Sequence, residues 1–275
     1  MGFQINTNLG ALKAYNALAT VNAQTEKAQL RLASQKKINT VADDTSGFNV
    51  GKKLEAQVAT QKSQLGNISS AQNYLATAES ALQEINDKIN QIAAKQTDSA
   101  DQLKDGASIA KDIRTLASEI SSILKSTNIN GNQLLASTDG STAVAAPTFN
   151  VGGSTLTFDF GSSDLGITAL SSAISTTSLQ NTTDATVLGF DTSAIASNVR
   201  TALGKIGNLN QALSSRQDYL TNAISNNTAT ISNLFDADMA AEQLNSTKGQ
   251  IGSQVATAML SQLNTAPQNL LSLFK

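Results

Sequence analysis

The chain has 275 residues, enough for one or two domains with a real core, but only 15% are charged and 4% aromatic, and it holds neither histidine nor cysteine. Those two absences remove Ser-His-Asp and Cys-His catalysis, thiolate and imidazole metal sites, covalent haem and disulfides, so carboxylate-only chemistry is the enzymatic option that survives. The net charge is −2 and no Lys or Arg lies between residues 126 and 199, which argues against nucleic acid as the main partner.

The first 36 residues carry Ile5, Leu9, Leu12, Tyr15 and Ala19 at helical spacing. A basic n-region followed by a continuous apolar run is missing here, so a cleaved secretory signal is not expected, and no run approaches the roughly 18 apolar residues of a membrane span. Ordering this segment alone would cost roughly 1–2 kcal/mol of backbone entropy per residue, against roughly 1.5–3 kcal/mol per buried large side chain. Half a dozen such side chains cannot offset that, so the segment needs partners. The far end has the same character, with Ile251, Val255, Met259, Leu263, Leu270 and Leu273. The two ends are therefore expected to order on each other and on neighbouring copies, as in a self-assembling protein.

Thr40-x-x-Asp43 reads as a capping box opening a long helix. Its seam is Leu54, Val58, Leu65, Ile68, Ala71, Leu75, Ala78, Leu82, Ile85, Ile89 and Ile92, stepping by threes and fours, with Gln61 the polar intruder. Ser99-x-x-Gln102 offers a second box, after which Ile109, Ile113, Leu116, Ile120 and Ile123 predict a helix folding back antiparallel through a link near Thr97 to Asp101. Asn130-Gly131 ends that pattern. From Ser137 to Phe190 the chain is rich in Ser, Thr, Gly and Asp, and helix propensity falls. Within it Leu156, Phe158 and Phe160 alternate with polar residues, and Gly152-Gly153 separates them from residues 148 to 151, which predicts a β-hairpin. Helical spacing resumes at Ile195, Val199, Ala202, Ile206, Leu209 and Leu213 and continues through Leu220, Ile224, Ile231 and Leu234. Gly204 and Gly207 weaken this helix or admit a close neighbour. The expected fold is mainly α: a long antiparallel helical bundle or coiled coil formed by the N- and C-terminal segments, with a small β-hairpin insertion.

The carboxylates Asp43, Asp44, Asp236, Asp238 and Glu242 favour helix-start roles over metal binding, because no EF-hand spacing with a central glycine appears. No cofactor, metal or catalytic residue is expected.

The order of short motifs resembles bacterial flagellin over nearly the whole chain. Ile5-Asn6-Thr7-Asn8, Arg31-Leu32-Ala33-Ser34, Lys37-Ile38-Asn39 and Asp43-Asp44-Thr45-Ser46-Gly47 are similar to the family's N-terminal stretch. Ala78-Glu79-Ser80-Ala81-Leu82 and Asn130-Gly131-Asn132-Gln133-Leu134-Leu135 fit the helices that follow. Asp236-Ala237-Asp238-Met239-Ala240-Ala241-Glu242 and Pro267-Gln268-Asn269-Leu270-Leu271-Ser272-Leu273 resemble its C-terminal signatures. Gln35 stands where the family usually has glycine, and Asn233 where arginine is common.

The resemblance implies a structural subunit, not an enzyme, secreted without a cleaved signal through the flagellar channel. Residues 1–39 and 238–275 would form the inner polymerisation domain, 40–136 and 191–237 a helical rod, and 137–190 a short surface insertion. Polymerisation contacts are expected at Ile5, Leu9, Leu12, Ile251, Val255, Met259, Leu263, Leu270 and Leu273. Spoke or inter-subunit contacts are expected at Arg31, Asn39, Asp43, Asp44, Asp236 and Asp238. The implied partners are further copies in a homopolymer, a cap protein, hook-associated junction proteins and an export chaperone for the C-terminal helix. The alternatives are a hook-filament junction protein and a surface adhesin using the 137–190 tip.

Overall fold

A computed structural model describes residues 8–129, 131–135, 148–152, 155–158 and 183–273. Six helices and two small antiparallel ribbons make up the described elements, so the chain is mainly α with the hairpin expected from its alternation. In chain order these are α1 Leu9–Ser34, α2 Thr45–Asp98, α3 Gly106–Ser126, β1 Asn128–Ile129, β2 Asn132–Gln133, β3 Thr148–Asn150, β4 Thr155–Thr157, α4 Asp184–Leu188, α5 Thr192–Phe235 and α6 Met239–Leu273. They group into two compact units, Met1–Val58 with Ser225–Lys275 and Ala59–Ile224, and α2 and α5 contribute to both. No described helix is long and apolar enough to cross a membrane.

The unit of residues 59–224 holds the large core. On α2, Ile68, Ala71, Leu75, Ala78, Leu82, Ile85, Ile89 and Ile92 are all buried, as their spacing predicts. On α3 the seam is shifted from the expected one. Ile109, Ile113 and Ile120 are buried together with Ala110, Ala117 and Leu124, whereas Leu116 and Ile123 are half-buried at its edge. Two interhelical ion pairs, Lys88 with Glu119 at 2.5 Å and Lys95 with Asp112 at 2.7 Å, join α3 to α2 in the antiparallel sense. On α5, Ile195, Val199, Ala202, Ile206, Leu213 and Leu220 complete the core.

Helix starts depart from the expected capping boxes. Ser99 does not cap; its hydroxyl donates to Gln96 O at 2.7 Å. Asp105 caps α3 instead, accepting from the Ala107 and Ser108 amides at 3.2 Å each and from the Ser108 hydroxyl. These bonds, the hydroxyl first, lower its carboxyl below the usual range. An aspartate can accept from two orphan amides at once, which a serine six residues earlier cannot reach. The link between α2 and α3 is correspondingly longer, residues 99–105. Near Gly204 and Gly207 an added Cβ would meet nothing within 4 Å among the described residues, so neither glycine serves a close packing between them.

After α3, the pair Asn128 with Gln133 and Ile129 with Asn132 forms a tiny ribbon, with Gly131 at φ 80° supplying the left-handed turn residue. The β3–β4 hairpin pairs Thr148 with Thr157, Phe149 with Leu156 and Asn150 with Thr155. Expected hairpin residues Gly153 and Phe160, and most of 137–182, lie outside the described residues. Phe149 and Phe158 meet Tyr74 of α2 at ring-centroid distances of 5.9 and 5.7 Å. Asn67 Nδ2 donates to Asn150 O at 3.0 Å and Arg216 Nε to Val151 O at 3.2 Å, clamping the hairpin between α2 and α5.

Burial pushes the Tyr74 phenol up to about 12. A phenol is charged only when deprotonated, so the folded state here favours the neutral form. The associated stability is fully present below the unfolded tyrosine value near 10 and is lost as pH rises through about 12. We expect Tyr74→Phe to remove the last-titrating step from an absorbance titration at 295 nm, in a chain with three tyrosines. An unchanged high-pH step would overturn the assignment.

Candidate interaction surface

In the unit of residues 1–58 and 225–275, α1 and α6 run antiparallel. Asn8 Nδ2 donates to Leu263 O at 2.9 Å at one end, and Arg31 pairs with Glu242 at 3.0 Å at the other. Asn8 also caps α1, its side-chain oxygen accepting from the Ala11 amide at 3.1 Å.

The seam between them is made mainly of small residues. On α1 it runs through Ala11, Ala14, Leu18, Val21, Thr25, Ala28 and Leu32, in steps of three and four, and each is buried or half-buried. On α6 it runs through Glu242, Ser246, Gly249, Ser253, Ala256, Leu260 and Leu263 in the same rhythm. Cα atoms of the two helices come within 8 Å of each other, a close approach that small side chains permit. Large apolar residues alone do not reveal this seam; its signal is the recurrence of Ala, Gly, Ser and Thr at steps of three and four.

Most of the large apolar residues lie elsewhere. Leu12 is 52% exposed, Tyr15 62%, Ile251 56%, Val255 53% and Met259 56%, and Leu9 and Leu244 are exposed too. Of the expected polymerisation set, Leu9, Leu12, Ile251, Val255 and Met259 therefore face away from the intrachain seam. Leu263 is half-buried in it, with its Cδ2 beside Gly10. Ile5 and the side chains of Leu270 and Leu273 lie outside the described residues.

The expected spoke residues shape the connections at the ends of α1 and α6. Asp43 Oδ2 accepts from the Asn39 amide at 3.2 Å and from the Thr40 amide and hydroxyl at 3.0 Å each. Half of the expected capping box thus forms as a turn, but α2 begins at Thr45, because Asp44 is the residue that accepts from the Gly47 amide, at 2.9 Å. The Thr40 amide, then its hydroxyl, hold the Asp43 carboxyl below its usual range, and Lys27 lies 3.7 Å away. Asn39 Nδ2 donates to Lys36 O at 3.1 Å. Asp238 caps α6 through the Ala240 and Ala241 amides at 3.0 and 3.2 Å. Asp236 accepts from the Ser232 hydroxyl. Each of these side chains, with Arg31, is held by a contact inside the chain.

Between the helices a two-bond bridge closes. Lys37 N donates to Phe235 O at 2.7 Å and Ala237 N to Gln35 O at 3.0 Å. Gln35 ends α1 in the left-handed region, with φ 59°. A side chain there costs roughly 1–2 kcal/mol that glycine avoids. We expect Gln35→Gly to stabilise this unit by about 0.5–1 kcal/mol, after the extra unfolded-state freedom of glycine is subtracted. Slower exchange of the Lys37 amide would show it, and faster exchange would refute it.

Among the described residues no acidic cluster gathers that could hold a metal ion.

Comparison with known proteins follows this architecture. A sequence model of the bacterial flagellin N-terminal helical region matches residues 5–140, and one of the bacterial flagellin C-terminal helical region matches residues 191–274. The chain is 29% identical over 309 aligned positions to flagellin of Bacillus subtilis (strain 168), covering 99% of this chain and all of that one. It is 37% identical over 93 residues to the protein YvzB of the same organism, 31% of this chain and 57% of that relative's length. Among solved structures it is similar to one described as a flagellar hook-associated protein from Vibrio parahaemolyticus, with a TM-score of 0.55, 13% identity, and coverage of 70% of this chain and 100% of that one, a likeness of fold. With both helical regions of the family matched in order on either side of the central segment, the chain belongs to the bacterial flagellin family.

Proposed function

We propose that this chain is the repeating subunit of an extracellular flagellar filament. The observation that carries the reading is the pair of exposed apolar stripes on α1 and α6, centred on Leu12, Tyr15, Ile251, Val255 and Met259. Unpartnered apolar surface of this extent on a closed helix pair calls for a protein partner, and further copies of the same pair supply one that repeats without limit. In this proposal residues 1–39 and 238–275 form the polymerisation domain, 40–136 and 191–237 the rod, and 137–190 the surface insertion. The bridge carrying Arg31, Asn39, Asp43, Asp44, Asp236 and Asp238 presents a shaped surface to the neighbouring subunit.

Export and assembly complete the reading. Helix ends that order only on partners can pass a narrow channel as extended chain, and the absence of cysteine prevents a crosslink during passage. A chaperone covering α6 in the cytoplasm, a cap protein at the growing end and junction proteins at the hook are the partners this route requires.

The test is pelleting with negative-stain microscopy of full-length protein in ammonium sulfate, beside a chain lacking residues 1–36 and 240–275. Long uniform filaments from the full chain alone support the reading. Protein that stays monomeric even with filament seeds would overturn it in favour of a junction or adhesive role.

A further inference from the structure

We propose that Thr25 and Gly249 are the register key of the α1–α6 pair, and that the register they set composes the face offered to a second copy of this chain. The second half rests on the filament reading above. A seam made mainly of alanine, serine, threonine and glycine has shallow knobs and few reasons to prefer one alignment over another. Its leucines, Leu18, Leu32, Leu260 and Leu263, are only half-buried. Thr25 is a buried polar residue whose hydroxyl donates to Val21 O at 2.7 Å, which fixes its rotamer. Opposite it stands Gly249. A Cβ at 249 would overlap Thr25 Oγ1 and sit 3.1 Å from its Cβ. One turn along, a Cβ at Gly252 would stand 3.3 Å from Val21 Cγ1. Threonine therefore seats in a notch that only glycine leaves open. A slip of one turn, about 5.4 Å, toward the start of α6 would set Thr25 against Asn245 and Ser246, whose Cβ atoms fill that space.

The consequence reaches the outer face. The contacts of Asn8 with Leu263, Thr25 with Gly249 and Arg31 with Glu242 all belong to one alignment, and it brings Leu12 and Tyr15 level with Met259. A slipped pair would keep its helices but break up this composite apolar patch. The two end contacts, an amide to a carbonyl and the ion pair of half-buried Arg31 with buried Glu242, hold the same alignment from either end.

The experiment uses the full chain, which has no cysteine of its own. Ala28 and Ser246 are both buried and stand level one turn from the Thr25–Gly249 contact, so Ala28→Cys with Ser246→Cys reports the native alignment by oxidative cross-linking. Ala14→Cys with Ala256→Cys reports a one-turn slip. Both are read under salting-out conditions beside pelleting. In the parent background the 28/246 pair should cross-link and the 14/256 pair should not. Gly249→Ala should lower the 28/246 yield about tenfold and the pelleted fraction with it, as overpacking of a closed seam does. Adding Thr25→Ala, which removes Oγ1 and Cγ2, should restore both. The key is overturned if Gly249→Ala leaves the 28/246 yield intact, or if Thr25→Ala fails to restore it. A parent chain that cross-links at 28/246 but never pellets overturns the filament reading and leaves the key standing. A parent chain that pellets while cross-linking at 14/256 does the reverse.

Discussion

A chain carrying aspartate at both Leu12 and Met259 should remain monomeric under conditions where the parent chain pellets as filaments. Both side chains are more than half exposed, so the small-residue seam between α1 and α6 is untouched and the helix pair still closes. What changes is the surface offered outward. Burying a carboxylate against an apolar neighbour without a hydrogen-bonding partner costs several kcal/mol, and every subunit in a polymer would bear that cost at each of its contacts. At about 1.4 kcal/mol per tenfold, the concentration needed for assembly should rise by at least about a hundredfold. Sedimentation at rising protein concentration reads the effect, and circular dichroism confirms that helix content is kept. Equal pelleting by parent and variant would sink the assignment of these stripes to subunit contacts.

The large core was legible because its signal is strong. Ile68 through Ile92 on α2 repeat at heptad spacing over many turns, and long apolar periodicity admits one interpretation. The β3–β4 hairpin was legible for a similar reason, since Leu156 and Phe158 alternate beyond a glycine pair. The ends were half legible. Their large residues announced a need for partners, but the intrachain seam that organises them is built mainly of alanine, threonine, serine and glycine, residues that hydropathy patterns discount. Their role depends on what stands opposite: Gly249 matters because Thr25 faces it from the other end of the chain. Helix starts were misplaced where several candidate caps lay within a few residues. Thr40 and Ser99 have the right chemistry, but Asp44 and Asp105 sit where the first helical amides emerge. Asp43, Asp44 and Asp238, singled out by the family resemblance, have local capping and turn roles, which the preference of aspartate for helix starts already favours, while Asp236 accepts from the Ser232 hydroxyl at the end of α5. The bridge around Phe235 left no trace in periodicity at all, because it joins two segments from opposite ends of the chain.

That bridge carries the second large expected effect. Phe235 is 2% exposed; its ring meets Phe48 edge-on at 6.3 Å, and Lys36 Nζ lies 5.5 Å from its centroid. Beneath it lies Gly51 of α2, where a Cβ would overlap the ring at Cε2 and Cζ and come within 2.9 Å of Cδ2. The phenyl ring therefore rests on bare backbone, and the two hydrogen bonds of the bridge flank it through the Phe235 carbonyl and the Ala237 amide. Phe235→Ala should cost about 3–5 kcal/mol, from lost burial and the cavity left behind. Gly51→Ala should cost about 1–3 kcal/mol by forcing the same ring off its seat without removing it. The two substitutions act on one contact, so their combined cost should fall well short of the sum. Hydrogen exchange at the Lys37 and Ala237 amides reads the bridge directly: a loss near 3 kcal/mol appears there as exchange faster by about a hundredfold. Amides of Ile85 and Ile113, in the core of the other unit, supply the internal reference. If exchange at Lys37 and Ala237 is unchanged in Phe235→Ala, the ring is a passenger and the bridge stands on its two hydrogen bonds. If it accelerates in both single variants but no further in the double, Phe235 on Gly51 is what holds the end of α1 to the start of α6.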